Sequence, residues 1–260
     1  MTALPEMSEQ SPGLRPDAGK LLVSTLKALC CAYGLSVAVW AVAALHLPIE
    51  LHVPLLAALI LAVMFGFVLY GLPNHDHPRF GYANLVTAIR AGLVSLIAAT
   101  ILSSSVFAAH EVNLLLWSVF GATVLALSLD GVDGYLARRF RQQSRLGARF
   151  DMEVDAFLIL MLSIGCAVLG KAGLWVVLIG LMRYAFILAQ WMLPKLRQEL
   201  FPSLRRKIIC VVQVAALCLV ILPGFGQPAS GMLSALCLAL LVYSFAVDTI
   251  WLLTRKDSAP

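Results

Sequence analysis

Apolar runs near the ~20-residue length of a bilayer-spanning helix alternate along this chain with short polar segments. Eight runs fall at about 25–46, 53–72, 86–108, 114–136, 151–169, 172–193, 208–224 and 231–253. The connections are short, which predicts antiparallel neighbours and leaves no linker for a separate soluble domain. Residues 1–24 are polar and proline-bearing, so they are expected to form a tail, as are 255–260. The stretch AVAAL at 41–45 resembles a signal-peptidase site, but the apolar run before it is too long for a cleaved leader. The expected fold class is therefore an all-α polytopic membrane protein.

Composition agrees with the pattern. The chain is 61% hydrophobic and only 13% charged, with a mean hydropathy of +0.90. A soluble domain has no means of hiding that much apolar surface.

Charge orients the helices. The segments 47–52, 109–113 and 225–230 hold no Lys or Arg, and the turn near 170 holds only Lys171. The alternate segments carry Arg15, Lys20, Lys27, Arg79, Arg90, Arg138, Arg139, Arg141, Arg145, Arg149, Lys195, Arg197, Arg205, Arg206, Lys207, Arg255 and Lys256. The positive-inside rule places that side, with both termini, in the cytoplasm of an inner-membrane protein. A net charge of +5 suits a face touching anionic headgroups. Nucleic acid is not an expected partner, because the cations sit where topology requires them. The six cysteines all lie in apolar spans without a CxxC pair, which suits small packing residues.

One polar block stands out between the fourth and fifth runs. It reads Asp130-x-x-Asp133-Gly134-x-x-Ala137-Arg138, then eight residues, then Gly147-x-x-x-Asp151-x-x-x-Asp155. On a helix the first group falls within about 140° of one face. In the second group, steps of four stack Gly147, Asp151 and Asp155 along one face. The polar segment between them makes an antiparallel hairpin whose acidic faces can meet. Carboxylates at a membrane boundary are costly and usually functional. All-oxygen donors favour a hard divalent cation such as Mg²⁺ or Mn²⁺, and two such ions would suit a diphosphate substrate. No GxxxxGK[ST] loop is present, so a P-loop site is not expected. Glu153 points off the Asp151–Asp155 face and is set aside.

This spacing resembles the signature of the CDP-alcohol phosphatidyltransferase family, with every fixed position filled. Chance agreement at one window is roughly 10⁻¹⁰ at average residue frequencies. The resemblance extends over about residues 80–254 and implies a six-helix core there. It leaves two additional N-terminal transmembrane helices at 25–79. It implies metal-dependent transfer of a phosphatidyl group from CDP-diacylglycerol to a soluble alcohol, with release of CMP, by a homodimer in the bilayer. Asp130, Asp133, Asp151 and Asp155 would hold two divalent ions, and Asp155 would also be the general base. Gly134, Ala137 and Gly147 would line the CDP pocket, with Arg138 on the diphosphate. Asn84-x-x-Thr87-x-x-Arg90 resembles the family's NxxTxxR element. Asn84, Thr87 and Arg90 would then supply hydrogen bonds to the cytidine or phosphates, although Asn84 also suits a helix cap and Arg90 a snorkelling side chain.

The acceptor is expected to be a polyol phosphate, glycerol 3-phosphate first and inositol phosphate second, since cytoplasmic cations favour an anion. Arg183, inside a span, either binds the acceptor phosphate or pairs with Asp248. Arg205, Arg206 and Lys207 either hold the acceptor or anchor to headgroups. His75, Asp76 and His77 suggest an ordinary polar turn. Trp40, Trp117, Trp175 and Trp251 suit interfacial anchors. The rival reading is a transporter or channel with an acidic cytoplasmic ion site. Clustering of the acids at one surface, with no repeated motif between the halves, argues against it.

Overall fold

The computed structural model describes residues 18–47, 50–75, 77–103, 113–197 and 203–254. Eight α-helices occupy these residues: α1 (Ala18–His46), α2 (His52–Gly71), α3 (Tyr82–Ser103), α4 (Asn113–Arg139), α5 (Arg145–Val168), α6 (Val177–Met192), α7 (Leu204–Ile221) and α8 (Ala229–Thr254). Six are long and apolar enough to cross a bilayer. The other two, α5 and α7, begin with the charged segments that the sequence places at the membrane surface. The protein is thus an all-α polytopic membrane protein. Bands of large exposed side chains, among them Leu59, Phe67, Leu188, Trp191 and Leu236, are the surface a bilayer would cover.

Helix α3 forms the centre. It packs against α1, α2, α4 and α5, while α7 closes the bundle against α4, α5 and α8. Of its apolar span, 67% is buried inside the protein, against 17–28% for the other five. Small residues make this possible, because they let helix backbones approach closely. Gly92 faces Ser36 of α1 so tightly that an added Cβ would overlap the serine side chain. Hydroxyls inside the helices satisfy themselves locally: Thr25, Ser36, Ser95, Thr123 and Ser234 each donate to the carbonyl four residues back.

Several boundaries differ from the sequence expectation. Helix α1 starts at Ala18, so residues 18–24 belong to a helix and not to the expected tail. Leu21 of this segment is buried, and packing of that face supports a turn whose polar residues alone suggested a tail. The remainder of both expected tails, Asp76, and 104–112 at the end of the third run lie outside the described residues. Trp40 is only 2% exposed; it packs in the core and is not an interfacial anchor. Trp117 and Trp175 are exposed, as anchors would be.

Loops sort the helix ends into two groups. At one end His77 Nε2 bonds Gln143 O at 2.9 Å, Tyr82 N donates to Gln142 Oε1 at 3.0 Å, and Tyr82 stacks near Phe140 at 5.9 Å between centroids. These contacts tie the α2–α3 loop to the α4–α5 turn and fix how α3 enters the bundle. At the other end Lys171 Nζ donates to the carbonyls of Leu222 and Phe225, at 3.3 and 2.9 Å. Ser230 Oγ returns a bond to Lys171 O at 2.6 Å. The cysteines are all free thiols.

Candidate functional site

The site is built on the α4–α5 hairpin and completed by α3. Helix α4 ends at Arg139, and the chain reverses through Arg141, whose φ is 52°. Gln142 N donates to Ala137 O at 3.0 Å, which closes the helix end. Ser144 then caps α5 by accepting from Gly147 N at 3.0 Å. The serine explains why a new helix starts one residue later, and its phase sets Asp151 and Asp155 toward α4.

Oxygens of Asp130, Asp151 and Asp155 lie within 4.8 Å of one another. Asp133 stands one turn on from Asp130 and is more deeply buried, at 4% exposure. Thr87 Oγ1 donates to Asp133 Oδ2 at 2.9 Å, so the α3 threonine orients that carboxylate. Arg90 occupies the centre. Its side chain is 1% exposed. Nη1 lies 2.6 Å from Asp130 Oδ1 and 3.3 Å from Asp133 Oδ2. Nη2 lies 2.5 Å from Asp151 Oδ1 and 3.3 Å from Asp155 Oδ1. Of the two readings open for Arg90, the snorkelling one fails: burial of α3 leaves its guanidinium no route to the headgroups, and four carboxylates hold it.

The hairpin thus brings all four signature aspartates together, with three forming the tight cluster and Asp133 beside it. The donor set fits a divalent cation. It offers several hard oxygens at a shared point, and a guanidinium already stands in for the positive charge there. The cluster is able to bind a divalent metal.

The other candidates fall around this centre. Asn84 is buried, and its Nδ2 donates to Phe80 O at 2.5 Å; it does not cap the helix, since a cap would accept from backbone N–H. Gly147 abuts it: an added Cβ would overlap Asn84 Oδ1 and lie 3.0 Å from Ser144 Oγ. Gly134 and Ala137 are half-buried on α4, and Arg138 is exposed at its end. Arg138 Nη1 reaches back to 3.4 Å from where a Gly134 Cβ would stand. Cys210 Sγ of α7 is 3.9 Å from Asp155 Oδ2; its place inside an apolar span gave no sign of this neighbour.

The outlying cations pair differently from expectation. Arg183 Nη2 bonds Glu153 Oε1 at 2.6 Å, so the expected partner Asp248 is incorrect. Glu153 leaves the aspartate face, as its phase required, and meets α6 instead. Asp248 is held by Arg205 Nη2, with Arg206 Nη1 at 3.8 Å. Arg205 also lies 5.9 Å over the Tyr243 ring. Lys207 is exposed and close enough for its charge to act on Asp151. His75 and His77 bond the carbonyls of Arg79 and Gln143, as members of a polar turn do.

No curated protein and no solved structure shows a match to the chain. A family model does: that of CDP-alcohol phosphatidyltransferase matches residues 80–247. The matched region starts just before α3 and runs into α8, so it contains the whole aspartate centre and excludes α1 and α2. With the motif, the convergent carboxylates and this match in hand, the chain belongs to the CDP-alcohol phosphatidyltransferase family and its chemistry is phosphatidyl transfer of that type.

Proposed function

We propose that the protein transfers the phosphatidyl group of CDP-diacylglycerol to a polyol phosphate, glycerol 3-phosphate before inositol phosphate, and releases CMP. The observation that carries this reading is the gathering of Asp130, Asp151 and Asp155 oxygens within 4.8 Å, inside a membrane bundle of this family. Asp130, Asp133, Asp151 and Asp155 would hold two hard dications, Mg²⁺ or Mn²⁺. When bound, such ions neutralise the diphosphate charge and stabilise the leaving phosphate.

The chain's own groups supply the rest. Asp155, one turn beyond Asp151 on α5, accepts the proton of the acceptor hydroxyl. The freed oxygen attacks the lipid-side phosphorus; a new P–O bond forms as the bond to the CMP oxygen breaks, and CMP leaves with that electron pair. Gly134, Ala137 and Gly147 would line the CDP moiety along the hairpin, Gly147 through its close packing on Asn84. Asn84 and Thr87 face it from α3, with Arg138 at its diphosphate. Arg183, Arg205, Arg206 and Lys207 form the cationic surround from which an acceptor phosphate would draw its partners, and the pairs with Glu153 and Asp248 would have to open for it. The enzyme works as a homodimer in the inner membrane, with both termini and the aspartates facing the cytoplasm. Helices α1 and α2 are an addition to a core at 80–254.

The acceptor is tested by incubating purified protein with CDP-diacylglycerol, Mg²⁺ and a panel of glycerol 3-phosphate, inositol phosphate, serine, choline and ethanolamine, with lipid products read by mass spectrometry. A phosphorylated lipid from one of the two polyol phosphates is expected. Product from serine, choline or ethanolamine alone, the zwitterionic and cationic alcohols, would overturn the acceptor reading. Tags in the 139–146 turn and at 225–230 test the orientation; a periplasmic turn would overturn it.

A further inference from the structure

Arg90 lies outside the roles assigned above. Its surroundings set a physical problem: one guanidinium, 1% exposed, faces four carboxylates at 2.5 to 3.3 Å. Each terminal nitrogen bridges one aspartate of α4-side origin or one of α5-side origin to its neighbour, so the cation ties the two arms of the hairpin to α3. Its Nε is buried and has no hydrogen-bond partner. A side chain placed for structure alone would be expected to satisfy that donor. All of Arg90's bonding is concentrated at the tip, on the oxygens that form the cation-sized cluster. Three of the four carboxylates it touches are the three whose oxygens gather within 4.8 Å.

We propose that Arg90 is the resident counter-cation of the metal-free site, and that a divalent ion enters by exchange with it. Without a positive charge the four acids, Asp133 buried and the other three half-buried, would repel one another across the hairpin at short range. Arg90 holds them in the converged arrangement until a metal arrives. A dication cannot share that point with the guanidinium at contact distance, because like charges in a buried site repel strongly. The ion therefore takes over the Asp130 and Asp151 oxygens, and the guanidinium withdraws from them while staying on α3. Metal affinity is set by the difference between two cations competing for one set of oxygens, not by the oxygens alone. The inference rests on the metal-binding reading of the aspartate cluster.

The test measures Mn²⁺ affinity by titration calorimetry, without substrate, on purified full-length wild type, Arg90→Lys and Arg90→Gln. Removing the competitor should tighten Mn²⁺ binding about tenfold or more in Arg90→Gln. Lys keeps one charge but cannot bridge both pairs, so Arg90→Lys should fall between. Melting temperatures taken in EDTA and in Mg²⁺ should diverge most for Arg90→Gln, which loses its metal-free counter-charge but not its metal-bound one. If Arg90→Gln does not fold, the wild type and Arg90→Lys decide alone. Equal or weaker Mn²⁺ binding in the variants would overturn the exchange while leaving the metal site standing. No Mn²⁺ binding in any of the proteins would overturn the metal site and the exchange together.

Discussion

The two ends of the bundle solve the same problem in opposite ways. At the Lys171 end, polar groups meet in matched pairs. One ammonium takes the Leu222 and Phe225 carbonyls, Ser230 takes Lys171 O, and Gln227 Nε2 reaches Gly170 O at 3.3 Å. Two neutral carbonyls serve the one cation, two neutral side chains serve the turn's own carbonyls, and together they lock the α5–α6 and α7–α8 turns. At the aspartate end, four carboxylates converge on one buried guanidinium. That arrangement carries surplus negative charge, which a structure seeking only stability would avoid. Function sits at the second end: local satisfaction marks a brace, and an unbalanced acidic cluster held in place marks a site suited to a cation.

The sharpest way to break this contrast is to remove a charge from the surplus. Asp130→Asn or Asp151→Asn keeps the side-chain shape and removes a hard, charged ligand. Turnover should fall by more than about 100-fold, beyond what groups that only orient a ligand achieve. In EDTA the variants should melt no lower than the wild type, because one member of a repelling set is gone. Substantial turnover, or a large loss of metal-free stability, would mean the acids are a brace like the other end.

Next in size is the proton step. Asp155→Asn should lose about 10²–10⁴-fold in turnover while CDP-lipid binding, read by equilibrium dialysis of a labelled analogue, stays near wild type. Asp155→Glu should recover little, since an added methylene displaces a fixed oxygen. Equal loss of binding and turnover would make Asp155 chiefly a metal ligand.

Asp248 offers an intermediate case at the aspartate end. It is buried and sits between Arg205 and Arg206, which are partly exposed. Asp248→Asn should lower stability by about 1–3 kcal/mol, because the arginines can still turn to water or headgroups. Thermal melting in lipid nanodiscs checks it. The smallest effect belongs to the brace: Lys171→Met should cost about 1 kcal/mol and leave turnover unchanged.

Much of this was legible in the sequence. The eight apolar runs became eight helices, and offsets of three and four placed Asp130 with Asp133 and Asp151 with Asp155 on facing sides of a hairpin. Helical phase also separated Glu153 from that face. What periodicity lacks is the rotation of one helix against another and the identity of its neighbours. So Arg90, on a motif whose spacing is visible, is left between a site role and the headgroups, and only the placement of α3 turns it into the acids. The same gap leaves Asp248 as one of two candidate partners for Arg183, when α7 brings Arg205 to Asp248 and α5 offers Glu153 to Arg183. Trp40 sits near the end of an apolar run, where an anchor is the natural reading. Only the packing of α1 shows that its ring faces the core.

Phosphatidyl transfer at the aspartate cluster should depend on a divalent cation. The most direct measurement is CMP release by the purified protein from CDP-diacylglycerol and glycerol 3-phosphate, with Mg²⁺ and then with chelator. CMP and phosphatidyl product are expected in equal amounts with Mg²⁺ and neither in chelator. CMP release that persists undiminished in chelator, or that is absent with every acceptor and dication supplied, would contradict that expectation.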